Sequence, residues 1–238
     1  MGKVVAVTGA NRGIGRAIAT ELHRRGHVVG CLSRGGEDLG LDGALPFPCD
    51  VTNDAEARAA LAALVERTGR LDVLVNNAGL YMERPSHECS TADFDQVLRT
   101  NVTGAFVMAR EAYPHFLAAG GGLIVNLGSF FDRLGVRYAA AYSASKAAIA
   151  SLTRTLAVEW AKRGVRLLNV APGYVRTDLN APHMAKESFR QFLQQRIPVG
   201  TPAEADEIAR FVALLLEDDF PHWTGDTITI DGAQAISQ

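Results

Sequence analysis

Short β-branched apolar runs alternate along this chain with longer stretches in which apolar side chains recur at helical spacing. Residues 3–8 read as a strand, followed by an amphipathic helix to about Arg25 and a second strand over 27–33. A third strand is expected at 45–49, a helix at about 53–67 and a compact fourth strand at 71–75. Ser90 with Asp93 three residues later resembles a capping pair opening a helix that carries Asn101, and the helical pattern continues through 111–119. Residues 123–127 predict a fifth strand and 165–171 a sixth, separated by a helix that contains Tyr142 and is stopped by Gly164. The segment 174–200 has helical patches, two prolines and scattered Met184, Phe189 and Phe192, which suits a movable substrate flap. Thr201-Pro202-Ala203-Glu204 has the hydroxyl, proline and reciprocating glutamate of a helix start, with the helix running to about Glu217 and a last strand at 227–230. The whole chain, 1–238, is expected to form one α/β domain.

Composition narrows the function. With 47% hydrophobic and 21% charged residues the chain can fill a large core and leaves no room for extended disorder. A formal charge of -2 without a basic cluster argues against a nucleic-acid partner. No apolar run reaches a membrane span and Met-Gly-Lys leads directly into a strand, so we expect no membrane partner and a cytoplasmic location. Cys31, Cys49 and Cys89 lack paired spacing and the six histidines lack ligand spacing, so no metal site is expected.

Candidate chemistry centres on Tyr142 and Lys146, four residues apart and therefore on one helical face. A cation beside a phenol favours the phenolate and brings its pKa toward neutrality, so the pair could exchange a proton with an alcohol or alkoxide. Upstream, the strand–turn–helix context surrounds Gly9, Asn11, Arg12, Gly13, Ile14 and Gly15, where glycines admit a pyrophosphate to the helix N-terminus. The second strand ends in Ser33-Arg34 rather than in the carboxylate that would bind a ribose 2′-hydroxyl. Arg34 and Arg12 can face a 2′-phosphate from two sides, favouring NADP (NADPH) over NAD, although Glu37 or Asp38 just beyond could still reach a ribose. Asn76-Asn77-Ala78-Gly79 at the end of the fourth strand could line a cofactor crevice. Asn101 costs helix propensity where it stands, which points to a specific use of its side chain, and Ser129 follows the fifth strand.

Taken in order, Gly9, Gly13, Gly15, the Asn-Asn-Ala-Gly segment, Asn101, Ser129, Tyr142 with Lys146 and Pro172-Gly173 resemble the classical short-chain dehydrogenase/reductase family over nearly the whole chain. The resemblance implies a doubly wound Rossmann fold, a seven-stranded parallel sheet of order 3-2-1-4-5-6-7 with helices on both faces. It implies a tetrad in which Ser129 donates to a substrate carbonyl, Tyr142 delivers a proton, Lys146 lowers the phenol pKa and holds the nicotinamide ribose, and Asn101 holds a water. It further implies that Asp50 and Val51 meet adenine, that Asn77, Ala78 and Gly79 line the adenosine side, and that Val175 and Thr177, beyond Pro172 and Gly173, bind the carboxamide. A homotetramer built through the helices of Asn101 and Tyr142 is implied as well.

Within the family, the short link after the second strand, Arg12, Ser33-Arg34 and Pro198-Val199-Gly200-Thr201-Pro202 are similar to bacterial β-ketoacyl-carrier-protein reductases. The approach to the fifth strand, residues 116–122, departs from them in having no Lys or Arg. The expected substrate is therefore a ketone or secondary alcohol, with a 3-oxoacyl thioester as one candidate. An NAD-dependent alcohol or sugar dehydrogenase and a non-catalytic NADP-sensing regulator are the alternatives, the latter disfavoured because all four tetrad residues are present.

Overall fold

In the computed structural model, which describes residues 2–40, 43–177 and 180–237, the predicted alternation of strands and helices closes into a doubly wound α/β domain. The strands are β1 (Val4–Thr8), β2 (Val28–Ser33), β3 (Leu45–Pro48), β4 (Val73–Asn76), β5 (Gly122–Leu127), β6 (Val165–Pro172), β7 (Val175–Arg176), β8 (Ala203–Glu204) and β9 (Asp226–Ile230). Among the described residues, seven of them pair in parallel in the order β3-β2-β1-β4-β5-β6-β9, and β7 pairs with β8 in a separate two-residue ladder. The expected order is observed, β9 being its seventh strand.

Burial explains the assignment. Every residue of β1 and of β6 is buried, as befits central strands covered on both faces. Alternate side chains divide between two cores: Val4 and Ala6 join Leu61, Leu64, Met108 and Phe116 on one face, while Val5 and Val7 join Ile18, Leu22, Ile208 and Val212 on the other. Pro46 and Pro48 on β3 are tolerated because that strand is the sheet edge, where a missing N–H leaves no partner unsatisfied.

The helices are α1 (Gly13–Arg24), α2 (Asp54–Thr68), α3 (Thr91–Leu98), α4 (Gly104–Ala119), α5 (Ala140–Trp160), α6 (Ala181–Met184), α7 (Glu187–Arg196) and α8 (Ala205–Leu214). Ser90 caps α3 as predicted, its Oγ accepting from the Asp93 N–H at 3.1 Å. The Tyr142 helix ends in a 3-10 turn closed by Gly164 at φ 73°.

Three expectations are corrected. Asn101 does not lie within a regular α-helix: α3 and α4 are joined by a π-helical turn, Arg99–Thr103, that carries it. The motif at 201–204 does not open a helix: Ala203 donates to the Tyr174 carbonyl at 2.9 Å, Ala203 and Glu204 pair with Val175 and Arg176, and α8 begins only at Ala205. The ladder to β7, with the Arg176–Glu204 contact at 2.9 Å, outweighs the local capping preference. That helix also ends at Leu214, three residues short of the expected limit, with a turn over residues 215–217.

Candidate active site

The chemistry-bearing residues gather beyond the carboxyl ends of β1, β4, β5 and β6, where the sheet reverses its winding and a crevice is expected. The glycine turn after β1 is shaped by contact. A Cβ on Gly15 would stand 2.3 Å from both Asn77 Nδ2 and the Gly9 carbonyl oxygen, so only glycine fits there. Gly9 and Gly13 hold φ of 64° and 54°, the left-handed region that glycine enters freely. Thr8 and Asn77 staple the turn to β4: Thr8 Oγ1 accepts from the N–H groups of Asn77 and Ala78 at 3.0 Å each, and Asn77 Nδ2 donates to the carbonyls of Thr8 at 2.9 Å and Gly9 at 3.2 Å.

The turn delivers the N-terminus of α1, whose first turn contains no acidic residue and whose cap, Arg12, makes no side-chain capping bond. Free amides, the positive helix end and glycine-only clearance fit a dinucleotide pyrophosphate. Thr177 lies across this opening, 3.8 Å from where a Gly13 Cβ would project, and its own N–H is held by Asn180 Oδ1 at 2.9 Å. Val175 is buried beside it, and Gly173 ties the end of β6 to Ile230 at 2.8 Å. Ile14, partly buried, packs against the core that contains Ile18 and Ile208.

At the β2 tip Arg34 is exposed and Ser33 is buried. The Ser33 hydroxyl donates to Glu37, and Asn11 Nδ2 donates to the same carboxylate at 3.5 Å. Asp50, across β3, accepts from the Thr52 N–H and hydroxyl at 2.9 and 2.8 Å. Those bonds, with Arg34 and Arg99 nearby, hold its carboxyl below the usual range. Val51 packs against Gly104, where a Cβ would come within 2.7 Å of it.

Asn101 is tied to the Tyr142 helix through Ser145, which sequence reasoning passed over. Asn101 Oδ1 accepts from the Leu80 N–H at 2.7 Å, while its Nδ2 donates to the Leu80 carbonyl and to Ser145 Oγ, both at 3.0 Å. Ser145 Oγ in turn donates to the Tyr142 carbonyl at 2.7 Å. The π turn is what aims the Asn101 amide at this junction, and such turns recur at functional sites. One signal was available: Ser145 stands three residues after Tyr142, on the same helical face.

Lys146 is buried, and its Nζ donates to the Leu127 carbonyl at 2.6 Å and lies 5.3 Å from the Tyr142 ring centre. Burial pushes the ammonium pKa down to about 8. Burial likewise pushes the Tyr142 phenol up to about 12, with the Ser129 hydroxyl pulling in the opposite direction. The expected lowering of the phenol by Lys146 is not what this arrangement gives: the ammonium is engaged by a backbone carbonyl, and burial raises the phenol.

Aromatic side chains that the sequence did not single out crowd the phenol. Tyr81 and Phe131 meet the Tyr142 ring edge-on at 5.0 and 5.5 Å, and Phe130 and Tyr174 extend the wall at 5.2 Å from one another. Tyr174 leads on to Phe189, at 6.1 Å, beside the cluster of Met184, Leu193 and Ile197. Residues 178–179 of the expected flap lie outside the described residues. No group of histidine, cysteine and acidic side chains able to hold a metal occurs among the described residues, and no helix there is long and apolar enough to cross a membrane.

This geometry has close relatives. A family model described as Enoyl-(Acyl carrier protein) reductase matches residues 9–233. The chain is 36% identical to D-threitol dehydrogenase of Mycolicibacterium smegmatis over 245 residues, covering 99% of this chain and 94% of that one. It is 36% identical to a human 3-oxoacyl-[acyl-carrier-protein] reductase over 239 residues, covering 98% of each. The solved structure of a gluconate 5-dehydrogenase from Burkholderia cenocepacia, in complex with NADP and tartrate, superposes with a TM-score of 0.90 at 29% identity, covering 100% of this chain and 96% of that one. With the sheet order, the glycine turn and the tyrosine–lysine helix in place, these matches make the chain a member of the short-chain dehydrogenase/reductase family, oxidoreductases of hydroxyl and keto groups.

Proposed function

We propose that this protein is an NADP(H)-dependent oxidoreductase that interconverts a ketone and a secondary alcohol, with Asn101, Ser129, Tyr142 and Lys146 as its working side chains. The observation that carries the reading is the convergence of Tyr142, Ser129 and Lys146 at the end of β5, joined through Ser145 and Asn101 to the strand end beside the glycine turn. A reduced nicotinamide, when bound, supplies the hydride. Ser129 orients the substrate oxygen by donating a hydrogen bond, and Tyr142 gives up its phenolic proton to that oxygen. Lys146 supplies positive charge under the ring and binds ribose hydroxyls, while Asn101 keeps the Tyr142 helix in register with the Leu80 backbone and holds a water that connects Lys146 to solvent.

For reduction the phenol must be protonated and Lys146 charged. The first condition holds up to about pH 12 and the second only below about pH 8. The kcat/KM for ketone reduction, which reports the free enzyme, is therefore expected to be flat near neutrality and to fall as pH rises through about 8. A profile that rises across that window would remove Lys146 from its role.

The cofactor preference rests on Arg12 and Arg34, with Asn11 and Ser33 supplying further donors, and the NADP named with the Burkholderia relative is in keeping with it. Arg34→Ala is expected to weaken NADPH about tenfold while leaving NADH within about twofold, the size of one exposed charge-assisted contact. Equal losses by isothermal titration would contradict the assignment.

On the substrate side, Tyr81 and Tyr174, backed by the buried rings of Phe131 and Phe130, favour an apolar substituent beside the carbonyl over a polyol. A 3-oxoacyl thioester, the substrate class in the human relative's name, remains one candidate of that kind. The segment 174–200 serves as the flap over this wall, and we expect a cytoplasmic homotetramer.

A further inference from the structure

We propose that Glu37 is an internal occupant of the seat for an adenosine 2′-phosphate, and that its carboxylate sets how strongly this chain prefers a phosphorylated dinucleotide. The proposal rests on the nicotinamide reading above and goes beyond it. Sequence reasoning placed Arg12, Ser33 and Arg34 around that seat with no acid at the strand tip. In the structure an acid arrives from four residues further on.

The geometry is made by the loop after β2. Gly36 stands at φ 61°, and its N–H donates to the Ser33 carbonyl at 3.2 Å and to Ser33 Oγ at 3.1 Å. This tight turn sends the chain back toward the strand it has just left. Glu37 then folds over its own loop, so that a Cβ on Gly35 would meet Oε1 at 2.4 Å. Its carboxylate accepts from the Ser33 hydroxyl and from Asn11 Nδ2, which belong to the β2 tip and the glycine turn. The Ser33 contact first, and the Asn11 bond and Arg12 charge after it, hold the carboxyl below its usual range, so it is ionised at neutral pH.

A phosphate on the adenosine ribose needs the same donors and brings two negative charges to them. It must displace the carboxylate or share Arg12 with it, and either course costs affinity. A free 2′-hydroxyl has the opposite relation, because it can donate to that carboxylate. Glu37 therefore opposes NADPH and tolerates NADH, partly offsetting the arginines. Its own exposure makes it free to swing aside.

Binding of NADPH, NADH and adenosine 2′,5′-bisphosphate to the full chain, measured by isothermal titration for wild type, Glu37→Gln and Glu37→Ala, tests this without reference to turnover. Both variants are expected to bind NADPH and the bisphosphate about tenfold more tightly, with NADH unchanged within about twofold or weaker. Unchanged or weaker NADPH binding in both variants, or an equal gain for NADH, would overturn the proposal while leaving the cofactor reading intact. A wild-type chain that bound neither dinucleotide would overturn both.

Discussion

Tyr142→Phe is expected to lower kcat for ketone reduction by about a thousandfold while changing NADPH affinity less than about threefold. Positioned proton donation contributes on the order of a hundred- to ten-thousandfold to rate, and the proposed function assigns that donation to this phenol, beside Ser129. The variant keeps the ring, so the edge-on contacts to Tyr81 and Phe131 persist and the fold should be unaffected. The substitution leaves the glycine turn proposed for the pyrophosphate untouched, so cofactor binding has no reason to collapse. Stopped-flow turnover and equilibrium titration on one preparation separate the two quantities. A variant that kept more than a tenth of wild-type kcat would end the role assigned to the hydroxyl.

The second large effect is structural in origin. Gly15→Ala is expected to destabilise the fold by roughly 3 kcal/mol, a loss of about 10 °C in Tm for a chain of this size. The added methyl would stand 2.3 Å from Asn77 Nδ2 and from the Gly9 carbonyl oxygen, which are backbone and staple at once. To admit it, Asn77 must release its bonds to Thr8 and Gly9, and the turn that shapes the helix N-terminus opens. Loss of dinucleotide binding should accompany the loss of stability. Gly26→Ala is the comparison: its φ of 83° also favours glycine, but nothing lies within 4 Å of a Cβ there, so only the backbone cost of about 1 kcal/mol applies. Equal melting temperatures for the two variants, read by calorimetry, would show that the staple does not constrain the turn.

How much of this was legible in the sequence differs from element to element. The buried strands were, because central parallel strands must be apolar on both faces and β1 and β6 are. The glycine turn was, because Gly15 has no room for a Cβ and Gly9 and Gly13 stand at positive φ. The Thr201-Pro202-Ala203-Glu204 signal misled because capping rules are local, whereas the pairing of Ala203 and Glu204 with Val175 and Arg176 joins segments nearly thirty residues apart. Asn101 was noticed as out of place in a helix, yet a π turn is a single turn between two longer helices and has no residue-type signal of its own, so it was not foreseen.

The site divided in the same way. Tyr142 and Lys146 stood out by type and spacing and Asn101 by its cost to a helix, whereas the grouping of these with Ser129 came from the family resemblance. Ser145 was missed because a small hydroxyl in an Ala/Ser-rich helix carries no distinctive signal, although it is fully buried and bonded to both Asn101 and Tyr142. Spacing gives proximity but not burial, so the upward pull of burial on the Tyr142 phenol was not legible in the sequence. Glu37 was noted only as within reach of a ribose. Its contact with Ser33 depends on a glycine turn whose path is not written in the residue types.

The most direct test of the central claim is the disappearance of NADPH absorbance when the protein is mixed with ketones carrying apolar ring or chain substituents and with a 3-oxoacyl thioester. The account predicts NADPH consumption matched mole for mole by the corresponding alcohol with at least one of them. NADPH bound tightly by the protein yet left unconsumed across the whole panel would contradict it.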